Sequence, residues 1–207
     1  MYLRIICLLL LVNLPSVNGQ DTIHNEKIFP QEGVYFSFAA FRNLKPDIRK
    51  HQIYKYGADS TYSIRRWVAG ENPYYISESG IKTKLPLDSV WGFAEKNNAF
   101  IFLGGKFHKI TTLGSISYFL ESYPVIKAGM APVVTDSRGT STYRLLDFED
   151  GSLYDYEMES FEYLLGKDEE LLKEFRSLNN PKTKRKKMYI FLEKYNRKHP
   201  VEGMIEE

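Results

Sequence analysis

The stretch that decides the fold runs from Asp88 to Leu120: Asp88-Ser-Val-Trp-Gly-Phe-Ala94, Lys96-Asn-Asn98, Ala99-Phe-Ile-Phe-Leu103, Gly104-Gly105, Lys106-Phe-His-Lys-Ile-Thr-Thr112, Gly114, Ser115-Ile-Ser-Tyr-Phe-Leu120. Branched and aromatic side chains fill short runs, which suits a pleated, half-buried surface. Between the runs stand an asparagine pair and a glycine pair, residues that tolerate the positive φ of tight hairpin turns. Four such runs spaced about ten residues apart read as an antiparallel meander.

Working outward, Tyr143–Phe148, Glu149-Asp-Gly151 and Leu153–Tyr156 read as one more hairpin, with Asp-Gly as the turn signal. Upstream, Gly33–Phe38 reads as a strand and Ala39–Asn43 as a helical turn. Residues 52–56 read as an edge strand, and Tyr62–Val68 as a strand at an edge or rim. Tyr74–Ser77 and Ile81–Lys84 read as a hairpin. Residues 124–141 carry no clear pattern. Beyond residue 157 the period changes. Phe161, Leu164 and Leu165 fall at helical spacing, as do Leu171, Leu172, Phe175 and Leu178, and then Met188, Phe191, Leu192 and Tyr195. Asp168-Glu-Glu170 opens the second helix with acids that suit its dipole. Three short amphipathic helices need the sheet to cover their apolar faces. The expectation is an α+β domain: an antiparallel, curved or partly closed β-meander with three C-terminal helices packed against it.

The chain ends add an address. Arg4 precedes an apolar run, Ile5–Leu14, which Pro15 stops, and Val17-Asn-Gly19 offers a cleavage site. This is the three-part pattern of a secretory signal peptide. This run of ten residues, apolar but for Asn13, reaches only about 15 Å as a helix, against about 30 Å of hydrocarbon, so no transmembrane span is expected once the signal is removed. The division expected is a signal over 1–19, a flexible leader over 20–32, one domain over 33–200 and a tail over 201–207.

Composition excludes several classes. The only cysteine, Cys7, lies in the signal, so the remaining chain offers no disulfide, thiolate metal site or cysteine nucleophile. The net charge of +2 falls to near neutral when Arg4 leaves with the signal, which gives no whole-molecule reason to bind nucleic acid. Aromatic residues make up 14% of the chain, an enrichment that supports a β-rich core first and a stacking surface second.

Taken in order, Gly33-Val-Tyr-Phe-Ser-Phe38, Phe41, Asn43-Leu-Lys-Pro46, Val90-Trp-Gly-Phe93, Ala99-Phe-Ile-Phe102, Lys106-Phe-His-Lys-Ile110, Leu145-Leu-Asp-Phe148 and Lys194-Tyr-Asn196 resemble a group of exported proteins of unknown function common in Bacteroidetes-type bacteria. The resemblance spans residues 33–199 apart from 122–141. It implies a bacterial envelope setting, periplasmic or extracellular, and brings no catalytic set with it.

Tests for chemistry return little. No Gly-x-Ser-x-Gly elbow and no complete phosphate loop occur. None of His24, His51, His108 and His199 has a second histidine at metal-ligand spacing, and His108 reads as a structural residue of a strand. Asp147, Glu149, Asp150, Asp155 and Glu157 cluster around a turn, but the sixth position from Asp147 is Ser152 where an EF-hand loop needs glycine. No catalytic residue, metal site or cofactor is signalled.

Two features invite contact with a partner. Trp67, Tyr74 and Tyr75 are candidates for a stacking platform. The run Lys182, Lys184, Arg185, Lys186 and Lys187 is a basic patch suited to anionic lipid or glycan. If the second and third C-terminal helices are antiparallel, this run also lies beside the end of the second. Arg197, Lys198 and His199 then approach Asp168–Glu170, which pairs each charge with a helix end of opposite sign. The function expected is that of an exported, envelope-associated binding or structural protein with a glycan or envelope protein as partner. A small hydrolase acting on envelope polymers, through Asp/Glu or Ser/His groups assembled by the fold, is the alternative.

Overall fold

The computed structural model describes residues 29–53, 63–68, 73–122 and 141–201. The expected signal, residues 54–56 of the expected edge strand, the unpatterned segment over 124–140 and the tail beyond Val201 lie outside the described residues; Gln52, the first residue of that expected strand, instead ends a 3-10 turn, Lys50–Gln52.

The meander forms where the turn chemistry places it. β5 (Gly92–Glu95), β6 (Asn98–Leu103), β7 (Lys106–Thr112) and β8 (Ile116–Ser122) pair antiparallel in sequence order. Lys96 and Asn97 take φ of 49° and 58°, and Gly104 and Gly105 take 57° and 77°, the left-handed conformation that tight hairpins require. β9 (Ser141–Asp147) and β10 (Leu153–Asp155) extend the sheet beyond β8, while β1 (Gly33–Tyr35) and β2 (Ile48–Arg49) extend it beyond β5. Among the described residues this is one eight-stranded antiparallel sheet, ordered β10-β9-β8-β7-β6-β5-β1-β2. It is not closed: β2 and β10 end it as edges. β3 (Tyr74–Ile76) and β4 (Lys82–Lys84) form the expected hairpin as a separate two-stranded sheet.

One face of the sheet wraps around α1 (Phe38–Arg42). Phe41 lies 5.2 Å from the ring of Tyr35 in β1, 4.5 Å from Trp91 and 5.8 Å from Phe148 just past β9. Tyr35 and Leu146 thus share one apolar cluster although four strands separate β1 from β9. Only a curved sheet brings them together.

The opposite face carries two separate covers. At the β8–β9 end lie α3 (Met158–Leu165), α4 (Glu169–Arg176) and α5 (Pro181–Lys198). Their edge-to-face rings Phe161–Phe175 and Phe175–Phe191, at 5.4 and 5.1 Å, join the three helices. Ile116 and Leu145 complete that core from the sheet. At the β1–β5 end, Val34, Phe93 and Phe100 meet Ile64, Trp67, Val68 and Leu85.

Three expectations are corrected. Ile64–Val68 is helical (α2), not a strand. Its apolar residues 64, 67 and 68 follow helical spacing, and the carboxylate of Glu95 accepts from the Ile64 and Arg65 amides at 2.7 and 3.4 Å and from Ser63 Oγ at 2.8 Å. A side chain distant in sequence thereby satisfies the amides of a helix start. Leu87–Ser89 forms a 3-10 turn, and the strand begins only at Gly92. The last residues of the expected leader are attached: Pro30 is buried, and Glu32 accepts from Lys50 Nζ at 2.5 Å and from the Lys96 amide at 2.7 Å.

Candidate functional site

The expected stacking platform does not assemble. Trp67 is only 4% exposed, and its Nε1 donates to the Tyr74 carbonyl at 3.0 Å. It is a core residue because α2 turns it inward with Ile64 and Val68. Tyr75 packs against that same core, and the ring of Tyr74 carries the Lys82 ammonium at 4.6 Å. Both tyrosines are half-buried.

Aromatic surface is instead concentrated where β8 and β9 meet α5. Register sets Tyr118 opposite Leu145 and Leu120 opposite Tyr143, so Tyr118 and Tyr143 are diagonal neighbours on one face. Their rings stack at 5.3 Å and 11°. Tyr156 and Tyr189 meet Tyr118 edge-on at 4.9 and 5.8 Å. Burial, together with the neighbouring Tyr143 and Tyr189, pushes the Tyr118 phenol up to about 12. Tyr143 is 49% exposed and Tyr189 39%. The inner tyrosines support the outer two, which face solvent.

The basic run continues this surface. α5 opens with Asn180, whose Oδ1 accepts from the Lys182 amide at 2.8 Å, and with Pro181 at its first position. Met188, Phe191, Leu192 and Tyr195 face the core. On the outer side Lys182, Arg185, Lys186, Tyr189, Glu193 and Arg197 recur at helical spacing and form one stripe. Lys184 belongs to the inner side: its Nζ reaches Glu162 Oε1 at 3.1 Å and lies 5.5 Å from the Phe175 ring centre. Lys182, Arg185, Lys186 and Lys187 are exposed and make no ion pair among the described residues.

Along the same side of α5 a recess of about 790 Å³ opens between the helix and the sheet. Asn97, Lys109, Thr112, Tyr189, Glu193 and Arg197 are among its lining residues. Its walls are joined by Asn196, which accepts from the Ile116 amide and donates to the Ile116 carbonyl, both at 2.8 Å. Gly114 permits that approach, since a Cβ there would stand 2.5 Å from the Asn196 side chain. Thr112 Oγ1 and Tyr189 OH share a hydrogen bond at 3.1 Å.

A second, polar pocket of about 870 Å³ lies between α1, the β9–β10 turn and the end of α5. Lys167 Nζ bridges Asp147 and Glu149 at 2.7 and 2.6 Å. The two carboxylates hold the Lys167 ammonium well above its usual range against the opposing effect of burial. Asp168 is buried. It caps α4 through the Leu171 amide at 3.0 Å and accepts from His199 Nε2 at 2.6 Å and Lys198 Nζ at 2.9 Å. Burial alone would raise this carboxyl; the hydrogen bonds outweigh it and hold Asp168 well below the usual carboxylate range. Lys198 and His199 therefore approach Asp168 as the antiparallel arrangement implied, whereas Arg197 faces the recess. Ser115 Oγ donates to the main-chain carbonyl of His199, not to its ring.

The acidic run resolves into separate pairs. Besides the two residues on Lys167, Asp155 pairs with Arg144, and Asp150 accepts from the Ser152 amide at 2.8 Å. His108 is 6% exposed, with Nε2 donating to the Leu103 carbonyl at 3.1 Å and Nδ1 accepting from the Ser122 amide at 3.4 Å. Both ring nitrogens are engaged, so it serves the sheet.

Sequence reading missed Tyr118, Tyr143 and Tyr189. Tyr189 was within reach, since it follows Arg185 and Lys186 at helical spacing. The Tyr118–Tyr143 stack depends on a strand register that spans residues 123–140, and no local signal announces it.

Among the described residues no helix is long and apolar enough to cross a membrane. Comparison with protein-family models, with curated proteins and with solved structures returns no match.

Proposed function

We propose that this chain is an exported, envelope-associated binding protein whose ligand is a glycan held against the outer face of α5. The observation that carries the reading is the continuity of two exposed tyrosines, Tyr143 and Tyr189, with the exposed cations Lys182, Arg185 and Lys186; Lys187 is exposed too but lies off this stripe, on the far side of the helix from Tyr189. Sugar rings stack on tyrosine faces, and unpaired cations attract acidic substituents at long range. Inner tyrosines hold the outer rings in place, so little side-chain freedom is lost on binding. The envelope setting rests on the signal-like run Ile5–Leu14 and on the resemblance of residues 33–199 to exported bacterial proteins. Mass spectrometry of protein recovered from a secreting host tests it, with cleavage after Gly19 as the expected result.

Glycan arrays and pull-down from envelope preparations test the binding reading. Tyr143→Ala is expected to weaken a captured glycan about three- to tenfold, the scale of one aromatic contact. Arg185→Glu with Lys186→Glu is expected to slow association most at low salt. Binding unchanged in both variants would remove this surface.

One observation favours a hydrolase as the second reading: the 2.6 Å contact of His199 with Asp168 in an open pocket beside Ser115. Turnover of an envelope polymer that is lost in both Ser115→Ala and His199→Ala would replace the binding reading. The present contact of Ser115 with the His199 carbonyl leaves the hydroxyl without a base, which weighs toward binding.

A further inference from the structure

The recess beside Tyr189 has its own recognition chemistry, and the ligand assigned to it rests on the glycan reading of the α5 surface. Its volume of about 790 Å³ falls within the range of small-ligand sites, about 300–1,000 Å³. It is preformed, because Asn196 fastens α5 to the start of β8 through two main-chain hydrogen bonds and Thr112 holds the Tyr189 hydroxyl. Those polar atoms are engaged. The charged groups around the recess are not: Lys109 on the sheet wall, Arg197 and Glu193 on the helix wall make no ion pair or side-chain hydrogen bond among the described residues. Asn97, at the hairpin tip, adds an amide that makes no side-chain hydrogen bond among the described residues.

We infer that this recess takes one carboxylate-bearing sugar residue, of the hexuronate type, from an acidic polysaccharide. Lys109 and Arg197 supply cations from opposite walls for a single carboxylate, and guanidinium–carboxylate bonding is geometrically selective. Tyr189 offers a ring against which a pyranose lies. Glu193 accepts from sugar hydroxyls and disfavours densely charged anions such as phosphates, since it brings negative charge to the same rim. A carboxylate, a flat ring and hydroxyl donors together describe a uronate better than a phosphate, a sulfate cluster or an apolar ligand. The recess shares Tyr189 with the tyrosine surface, so a polymer seated in it continues along that surface toward Tyr143.

The test is calorimetric titration of the full chain with tetragalacturonate and with its methyl ester, which keeps rings and hydroxyls but deletes the charge. The acid is expected to bind about tenfold or more tightly than the ester, the scale of a hydrogen bond to a charged group. Lys109→Gln and Arg197→Gln are each expected to erase most of that preference while leaving the melting temperature in place. Equal affinity for acid and ester, or indifference to both substitutions, overturns the inference. If the ester or another neutral glycan binds and Tyr143→Ala weakens it, the glycan reading survives that failure. No binding of any glycan overturns both. Preference for a zwitterionic peptide, which Arg197 and Glu193 could also clamp, overturns the uronate assignment.

Discussion

The two covers on one face of the sheet are built differently. The C-terminal cover is three helices of 8, 8 and 18 residues, each with its own apolar stripe, cross-tied by ion pairs such as Arg176–Glu162, Lys184–Glu162 and Lys194–Glu174. The cover over β1 and β5 has one five-residue helix, α2, capped by Glu95 from the sheet. A helix that short is unstable alone. It exists because Trp67, Ile64 and Val68 bury against Val34 and Phe93 and because a distant carboxylate satisfies its amides. Local sequence therefore dictates one cover, and the other is imposed by the sheet beneath it.

Substitutions in the two covers test this difference. The largest effects come from the two cores. Phe161→Ala and Trp67→Ala each remove a buried ring and should cost about 3–5 kcal/mol in denaturant unfolding. If the covers share one cooperative unit, both lower the same transition. Hydrogen exchange that speeds up only around α2 in Trp67→Ala would show that the sheet-imposed cover opens separately.

Next is the borrowed cap. Glu95→Ala leaves the α2 amides without their acceptor and should cost about 1–3 kcal/mol. The local caps of the other cover provide the contrast, and Asn180→Ala at the start of α5 should cost about 1 kcal/mol. Equal losses at the two sites would erase the distinction between borrowed and local caps.

Asp168→Asn keeps a good capping side chain but removes the charge that holds Lys198 and His199, at an expected cost of about 1–3 kcal/mol near neutral pH. The native carboxyl titrates below its ordinary value of 3.8. Its charge therefore stabilises the fold fully above that value and progressively less as pH falls through the depressed one. The gap between native and variant stability should stay open from neutral pH down to about 4 and close below it. Thermal unfolding measured from pH 7 to pH 2 checks the sign, and a gap that widens on acidification would refute it.

The smallest effect is at the exposed pair Lys194–Glu174, where Lys194→Ala should shift stability by less than about 1 kcal/mol. A larger loss would mean that the ion pairs across the C-terminal helices act as a network.

The meander, the Asp-Gly hairpin and the three final helices were legible because their period, turn residues and caps agree over neighbouring residues. The approach of Lys198 and His199 to Asp168 follows once two helices adjacent in sequence are antiparallel, which sets the end of one beside the start of the other. Ile64–Val68 was misread because five residues fit alternation and helical spacing alike, and the deciding partner, Glu95, lies some thirty positions away. Trp67 lost its role as a platform by the same error. The tyrosine surface was missed because it joins β8, β9 and α5 through register and packing.

Read along the chain alone, the residues settle the kinds of element and the turns in the meander, the Asp-Gly hairpin and the three C-terminal helices, and they exclude thiol chemistry beyond Cys7. These follow from side-chain period, backbone freedom and composition, all of which act within a few residues. Packing between distant segments sets which aromatics face water, which cations lack an ion pair among the described residues and where a recess opens. Exposure and pairing depend on what packs against a side chain, and here that neighbour usually comes from another strand or helix far along the chain.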